Sequence, residues 1–158
     1  MEKKNIYSYR ITNIATTKFL FEDLQLDYFI NLIKNKELAM AIDLAIDIKK
    51  DINQFSIIIK SIFTDKTEPK TVVEHIGKTS FEINGLSEAY NNTNDSFTLP
   101  DDLLMTLVNL AYTHCRALLS AELSSTIYKN ELFLPILTPD LLLRKIKDLE
   151  IKKEKKIP

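Results

Sequence analysis

The chain has 158 residues with 21 basic and 22 acidic side chains, so it carries a net charge of −1 at pH 7. That length fits one domain with a core of its own, and the balanced charge favours no nucleic-acid partner. Two glycines exclude a glycine-rich phosphate loop, and one cysteine excludes an internal disulfide or a cysteine-rich zinc site.

Residues 6–22 alternate between apolar and polar side chains, which predicts a first strand with a bulge near Ala15–Thr17. In residues 23–36 the apolar side chains recur at helical spacing, which is compatible with a short helix or with an apolar crossover. Both interpretations stay open at this point.

The next three segments predict an antiparallel meander. Residues 37–49 place six apolar side chains on one face and small or acidic ones on the other. Residues 54–63 place Phe55, Ile57, Ile59 and Phe63 inward, and residues 71–83 give a further strand. Short turns join the three segments. Consecutive strands with short connections pair most economically as antiparallel neighbours.

The remaining residues predict a loop and two helices. Residues 86–98 are rich in Asn, Thr and Ser and predict a loop. A long helix is expected from Pro100 to about Ser125, and a second helix from Pro139. The predicted fold class is therefore α+β, a four-stranded antiparallel sheet with a long helix and a C-terminal helix packed on one side. We expect a single domain over residues 1–150 and a basic, frayed tail over 151–158.

The long helix has an apolar arc wider than a helix lying on one sheet requires. One explanation is a thick core in which the second helix covers part of the arc. The other is self-association, in which a second stripe packs against another copy of the chain. The predicted interface stripe consists of Leu104, Val108, Ala111, Cys115 and Leu119.

Nucleophilic and metal chemistry find little support in the sequence. His114 and Cys115 are adjacent, but consecutive helical residues point about 100° apart and do not face each other. His75 is far from both in sequence, so no convergent set of metal ligands is apparent. We therefore expect neither an enzyme active site nor a metal or other cofactor.

Three stretches of the chain resemble SecB, the bacterial export chaperone, and its SecB-like relatives. KFLFEDL, residues 18–24, is similar to the end of the family's first strand, with its Phe-Glu pair. TVVEHIGKTSFEINGL, residues 71–86, is similar to the fourth strand. LAYTHCRALLSAELSSTIYKNELFLPILTPDLL, residues 110–142, is similar to the long helix, the Leu-x-Leu-x-Pro link and the final helix.

This resemblance implies an ATP-independent chaperone that holds unfolded polypeptides or preproteins as a homotetramer, a dimer of dimers, in protein export. It also implies that acidic residues at Glu22 and Glu74 dock the SecA motor. Two departures weaken that docking: Lys18 stands where the family tends to carry an acid, and the zinc-binding tail is missing. A chaperone or adaptor dedicated to one partner, such as the antitoxin of a toxin–antitoxin module, fits these departures equally well.

A holding protein needs exposed apolar area that tolerates many client sequences. The sequence places the candidate client groove in residues 24–33, within the segment that fits either a helix or an apolar crossover. Its predicted residues are Leu24, Leu26, Tyr28, Phe29, Leu32 and Ile33. No run of about 18 apolar residues and no signal-peptide pattern is present, so we expect a cytoplasmic chain without a membrane span.

Overall fold

The computed structural model describes the backbone of residues 7–91 and 96–154, and the side chains of residues 7–91 and 97–146. Its centre is a four-stranded antiparallel sheet in the order β1-β4-β3-β2. The strands are β1 (Ser8–Phe21), β2 (Leu38–Lys49), β3 (Gln54–Asp65) and β4 (Lys70–Asn84). The α+β class and the antiparallel sheet predicted from the sequence are confirmed.

The two edge strands differ in regularity. β2 pairs with β3 without interruption from Leu38 to Lys49. β1 pairs with β4 through two register shifts, one between Ile11 and Asn13 and one between Thr16 and Lys18. The second shift confirms the bulge predicted near Ala15–Thr17. Bulges bend and twist a strand, so β1 is the irregular edge of the sheet and β2 the regular one.

The helices follow the predicted starts. α2 (Asp101–Leu123) lies on the two central strands, and α3 (Pro139–Glu154) packs against α2 and β2. We call the covered face of the sheet its helix side and the other its open face. α2 packs on β3 and β4, whose helix side is buried; the largest fully buried side chains there are Phe55, Ile57, Ile59, Phe81 and Ile83.

Residues 23–36, for which the sequence allowed a helix or a crossover, contain the helix α1 (Leu26–Lys34). α1 is tied to the β3–β4 turn because the Tyr28 hydroxyl donates to Asp65 Oδ2 at 2.5 Å. Asp65 Oδ1 also accepts the Thr67 N–H at 2.7 Å, which shapes that turn. The hydrogen bond from Tyr28 is the main reason that the pKa of Asp65 falls to about 2.

One predicted chain segment needs correction, and a second reaches into a helix. Residues 86–98 are not wholly a loop, because a 3-10 turn at Leu86–Ala89 is followed by a small pair of strands, β5 (Tyr90–Asn91) and β6 (Ser96–Phe97). Phe97 stacks on Phe55, which gives that polar segment an apolar anchor on the sheet. The predicted tail overlaps α3, whose backbone stays helical to Glu154, and residues 155–158 lie outside the described residues.

Candidate polypeptide-binding surface

α1 presents an apolar stripe to solvent. Leu26, Ile30 and Ile33 occupy positions i, i+4 and i+7, which lie on one face of a helix, and all three are exposed. Leu26 is 54 % exposed, which is high for an apolar side chain of its size. Phe21 is also exposed at the end of β1, and its ring contacts Tyr128, the buried ring against which Phe29 of α1 packs. We call these four residues the α1 patch.

The structure divides the predicted client-binding residues into two groups. Leu26 and Ile33 are exposed and Tyr28 is half-buried. Leu24, Phe29 and Leu32 belong to the hydrophobic core and are therefore not available to a client in this conformation. The inner face of an amphipathic helix anchors it, so only the outer half of the predicted set can act as a contact surface.

Sequence reasoning missed Ile30 and Phe21. The signal for Ile30 was present, because it completes the i, i+4, i+7 spacing between Leu26 and Ile33. No comparable signal existed for Phe21. It shares the parity of Phe19 along the predicted strand, and its position at the end of an edge strand leaves half of the side chain in solvent.

The link between α2 and α3 carries a second exposed apolar area. It is extended, and Leu132 and Leu134 are buried while Phe133 and Ile136 are 67 % and 82 % exposed. Its main chain is fixed from α2: the Tyr112 hydroxyl donates to the Pro135 carbonyl at 2.8 Å, and Arg116 Nε donates to the Leu134 carbonyl at 3.1 Å.

A cleft of about 370 Å³ opens beside this link at the end of α2. Its lining combines two buried leucines with exposed hydroxyl, amide and ammonium groups. The lining residues are Ser120, Leu123, Ser124, Lys129, Asn130, Leu132 and Phe133. An exposed aromatic ring next to a cleft of this kind is suited to adaptable apolar contact with a polypeptide.

The predicted self-association stripe on α2 requires correction. Val108, Ala111, Cys115 and Leu119 are buried within the single chain, and Cys115 packs on β3 and β4. Leu104 is half-buried. The arc is wide because the sheet covers one part of it and the link and α3 cover another. These four side chains are therefore core residues and present no free surface to a second copy.

An apolar area does remain beside α2, on its other flank. Tyr9, Ile11 and Ile14 of β1 are exposed on the helix side of the sheet. Leu110 and Leu118, on the neighbouring flank of α2, are half-buried. We call these five residues the β1 flank.

Glu74 is not a free acid on the open face. Lys18 Nζ lies 2.9 Å from one of its carboxylate oxygens, and Lys60 Nζ lies 3.1 Å from the other. These two hydrogen bonds lower the pKa of Glu74. Glu22 follows β1 and is exposed, and the strand register places it on the open face, on the same side as Glu74. The two lysines leave Glu74 with little uncompensated charge.

His75 and Cys115 meet in the core, an approach that the sequence did not reveal. His75 Nδ1 lies 3.7 Å from Cys115 Sγ, and its Nε2 lies 3.1 Å from Thr16 Oγ1. Burial raises the pKa of the Cys115 thiol to about 11 and lowers the pKa of His75. A thiol that stays protonated in the interior is a poor nucleophile, so the pair is a packing contact. Within the described residues, no group of three or more His, Cys, Asp or Glu side chains could hold a metal ion.

In the part of the chain that the structure describes, no helix is long and apolar enough to cross a membrane.

Comparisons with known proteins give structural similarities only. No family model matches the sequence, and neither does any curated protein.

The SecB-like chaperone Rv1957 of Mycobacterium tuberculosis, solved with a ChAD peptide from the HigA1 antitoxin Rv1956, is similar at 12 % identity. The match covers 82 % of this chain and 88 % of that chain, with a TM-score of 0.48. A protein of unknown function from Streptococcus agalactiae is similar at 10 % identity over 83 % of this chain and 99 % of that chain, with a TM-score of 0.38. Scores below 0.5 assign neither a family nor a function, so membership of the SecB-like proteins stays a prediction.

Proposed function

We propose that the protein holds non-native polypeptides without ATP, as a SecB-like chaperone of the cytoplasm. The observation that carries this proposal is the exposed apolar surface of α1, where Leu26, Ile30 and Ile33 form one stripe. The chain already has an extensive core, so this stripe is surplus to the folding of the monomer. Exposed apolar area in an otherwise well-packed protein favours a role in binding.

The link supports the same proposal from a second element. Phe133 and Ile136 point outward from a main chain that Tyr112 and Arg116 hold in place. Such residues combine apolar contact with a preformed backbone, so a client loses conformational entropy on binding while the protein loses little. The α1 patch and the link together offer contacts that depend on apolar character more than on sequence.

The proposal includes self-association as a homotetramer, which is the assembly that the resemblance implies. The β1 flank is the surface that we assign to it, in place of the buried stripe on α2. Tyr9, Ile11 and Ile14 leave apolar area uncovered along an edge strand, and a symmetric contact would bury it in both copies. Sedimentation of the wild type and of Ile11→Asp should show an oligomer that the substitution weakens.

The holding activity is tested by light scattering. Two unrelated chemically unfolded proteins are diluted into buffer with and without this protein, in the absence of ATP. Suppression of aggregation for both supports the proposal. Leu26→Ser should weaken the suppression of aggregation, whereas Ile52→Ser should leave it unchanged. Ile52 is the control because it is similarly exposed, 58 % against 54 % for Leu26, but lies in the β2–β3 turn. Lack of suppression for both clients would remove the general activity.

A second candidate function is a chaperone or adaptor dedicated to one partner. The ion pairs of Glu74 favour it, because Lys18 and Lys60 neutralise an acid that the resemblance assigns to SecA docking. A dedicated protein needs no export motor. Breadth of binding separates the two functions: a general holding protein suppresses aggregation of several clients, and a dedicated one recognises a single polypeptide.

A further inference from the structure

We propose that the outer edge of β2 accepts an extended polypeptide as an additional strand, and that Lys145 occupies this edge when no polypeptide is bound. The inference rests on the proposed function and specifies how a client is held: through its main chain, at a place separate from the α1 patch. Pairing through main-chain groups is largely independent of side-chain sequence.

The direction of the β2 backbone groups follows from the hydrogen bonds at its start. The Lys66 N–H donates to the Glu37 carbonyl at 2.9 Å, so residue 37 faces β3. Main-chain groups alternate in direction along an antiparallel strand. The odd residues of β2 therefore face β3, and the even residues Met40, Ile42, Leu44 and Ile46 direct their N–H and C=O groups to the outside.

This edge has the regularity that pairing with a further strand requires. β2 keeps one register with β3 from Leu38 to Lys49, whereas the opposite edge, β1, is broken by two shifts. A regular edge strand is a template for another chain, and proteins commonly protect such edges with bulges or lysines. β1 has such bulges at its two register shifts, and β2 has no register shift along its pairing with β3.

Lys145 provides the second kind of protection. Its Nζ donates to the Ile42 carbonyl at 3.0 Å from α3, which packs beside β2. Among the side chains that the structure describes, it is the one that bonds to this edge. Its neighbours Leu142 and Ile146 are buried and hold α3 in place, so Lys145 can release the carbonyl while the helix stays anchored.

The side chains of the edge leave its backbone accessible from the open face. Ala41 and Ala45 are small and exposed there, which leaves the main chain beside them open; Asp43, between them, is exposed as well. On the helix side, Met40 is exposed and Ile42 is half-buried, which supplies apolar contact for alternate side chains of an incoming strand. An extended polypeptide fits both faces.

The test uses a fluorescent peptide of alternating valine and threonine, about ten residues long, which is the length of a long strand. A second peptide has the same sequence but is N-methylated along its central half, which removes main-chain donors and keeps the side chains. Edge pairing predicts at least tenfold weaker binding of the methylated peptide. It also predicts that the amides of Met40, Ile42 and Leu44 gain protection from hydrogen exchange when the unmethylated peptide binds.

Lys145→Ala should bind the unmethylated peptide about threefold to tenfold more tightly, because the competing charged donor is gone. Arg144→Ala is the matched control: it removes the same charge from an exposed neighbouring position and should leave the affinity unchanged. If Lys145→Ala does not fold, the pair of peptides still decides the proposal on the wild type.

Equal binding of the two peptides, or binding of neither, would overturn the edge proposal. If the two peptides bind equally and aggregation is still suppressed, the edge proposal fails but the proposed holding activity stands. The failure of one proposal can therefore be told apart from the failure of the other. Tighter self-association of Lys145→Ala without tighter peptide binding would overturn it as well, since the edge would then accept a second copy.

Discussion

Lys18 Nζ donates a hydrogen bond of 2.9 Å to Glu74 Oε2 across the pairing of β1 with β4. The sequence marked these two residues for opposite reasons, Glu74 as an acid that docks a motor and Lys18 as a departure from the family pattern. The contact joins them: the departing lysine neutralises the acid. The neutralised carboxylate is a physical reason to expect weaker docking of a SecA motor at Glu74.

Lys18→Met should raise the pKa of Glu74 towards its ordinary value, because Lys18 is the first of the two partners that lower it. Lys60 remains, so the rise is partial. Arg10→Met is the control, since Arg10 lies on the same strand but pairs with Glu82. An NMR titration of the Glu74 carboxyl measures the shift. The change in unfolding free energy should stay below about 1 kcal/mol, because Lys18 is exposed and Lys60 still pairs with Glu74.

The same pair of variants tests motor docking. A SecA protein that recognises a free carboxylate at Glu74 should bind Lys18→Met more tightly than the wild type or Arg10→Met. Equal binding of all three, measured by surface plasmon resonance, would place docking elsewhere or exclude it.

Gly77→Ala should destabilise the fold by about 1–3 kcal/mol, the usual cost of overpacking a core. A Cβ on Gly77 would lie 3.0 Å from Cys115 Sγ, on the contact between β4 and α2. Urea unfolding measures the loss. Cys115→Ala in the same chain should recover part of it, because the clashing sulfur is then absent. If the double variant loses the sum of the two single changes, the clash is not the cause.

The two faces of α1 should respond differently to truncation. Phe29→Ala should cost about 3–5 kcal/mol, since the buried ring packs edge-on against Tyr128 with centroids 4.8 Å apart. Ile30→Ala, on the exposed face, should cost less than about 1 kcal/mol. Thermal unfolding compares the two. Similar losses would mean that the stripe of the α1 patch is buried in the protein in solution, which would contradict its assignment as a contact surface.

Stability should decrease as the pH falls from about 7 to about 5. Burial holds the pKa of His75 below its ordinary value of 6.5, despite the opposing charge of Glu122. Over this interval the unfolded chain binds a proton that the folded chain does not, so acidification favours unfolding. The contribution of His75 is complete above about pH 6.5 and is lost below it.

Urea midpoints at several pH values test this dependence. His75→Gln should reduce the slope, and the remainder belongs to His114, whose pKa burial also lowers. The carboxylates Glu74 and Asp65 act in the same direction but only below their ordinary values of 4.5 and 3.8. An unchanged slope in His75→Gln would show that His75 is not the group that titrates.

The parts of the fold that the sequence predicted are those with a clear period. β2 alternates strictly between large apolar and small or charged side chains, and Pro100 and Pro139 mark where α2 and α3 start. β3 and β4 were predicted from their apolar content and from the short turns that flank them. The segment containing α1 was ambiguous because nine helical residues are too few for periodicity to separate a helix from an apolar crossover.

The site was predicted less well than the fold, for a physical reason. A sequence shows that a side chain is apolar, but not which neighbour covers it. Val108 and Leu119 were assigned to an interface between chains, whereas both are buried in the core of the single chain. Phe29 and Ile30 are adjacent, and only packing against Tyr128 decides which of them faces the core.

The way in which α2 holds the link has a consequence for sequence change. Tyr112 and Arg116 bind the carbonyls of Pro135 and Leu134, groups that every amino acid possesses. Phe133 and Ile136 can therefore be exchanged without altering the anchors that position them. Preference for one polypeptide over another can thus drift, or be engineered, at these two positions while the scaffold that carries them keeps its stability.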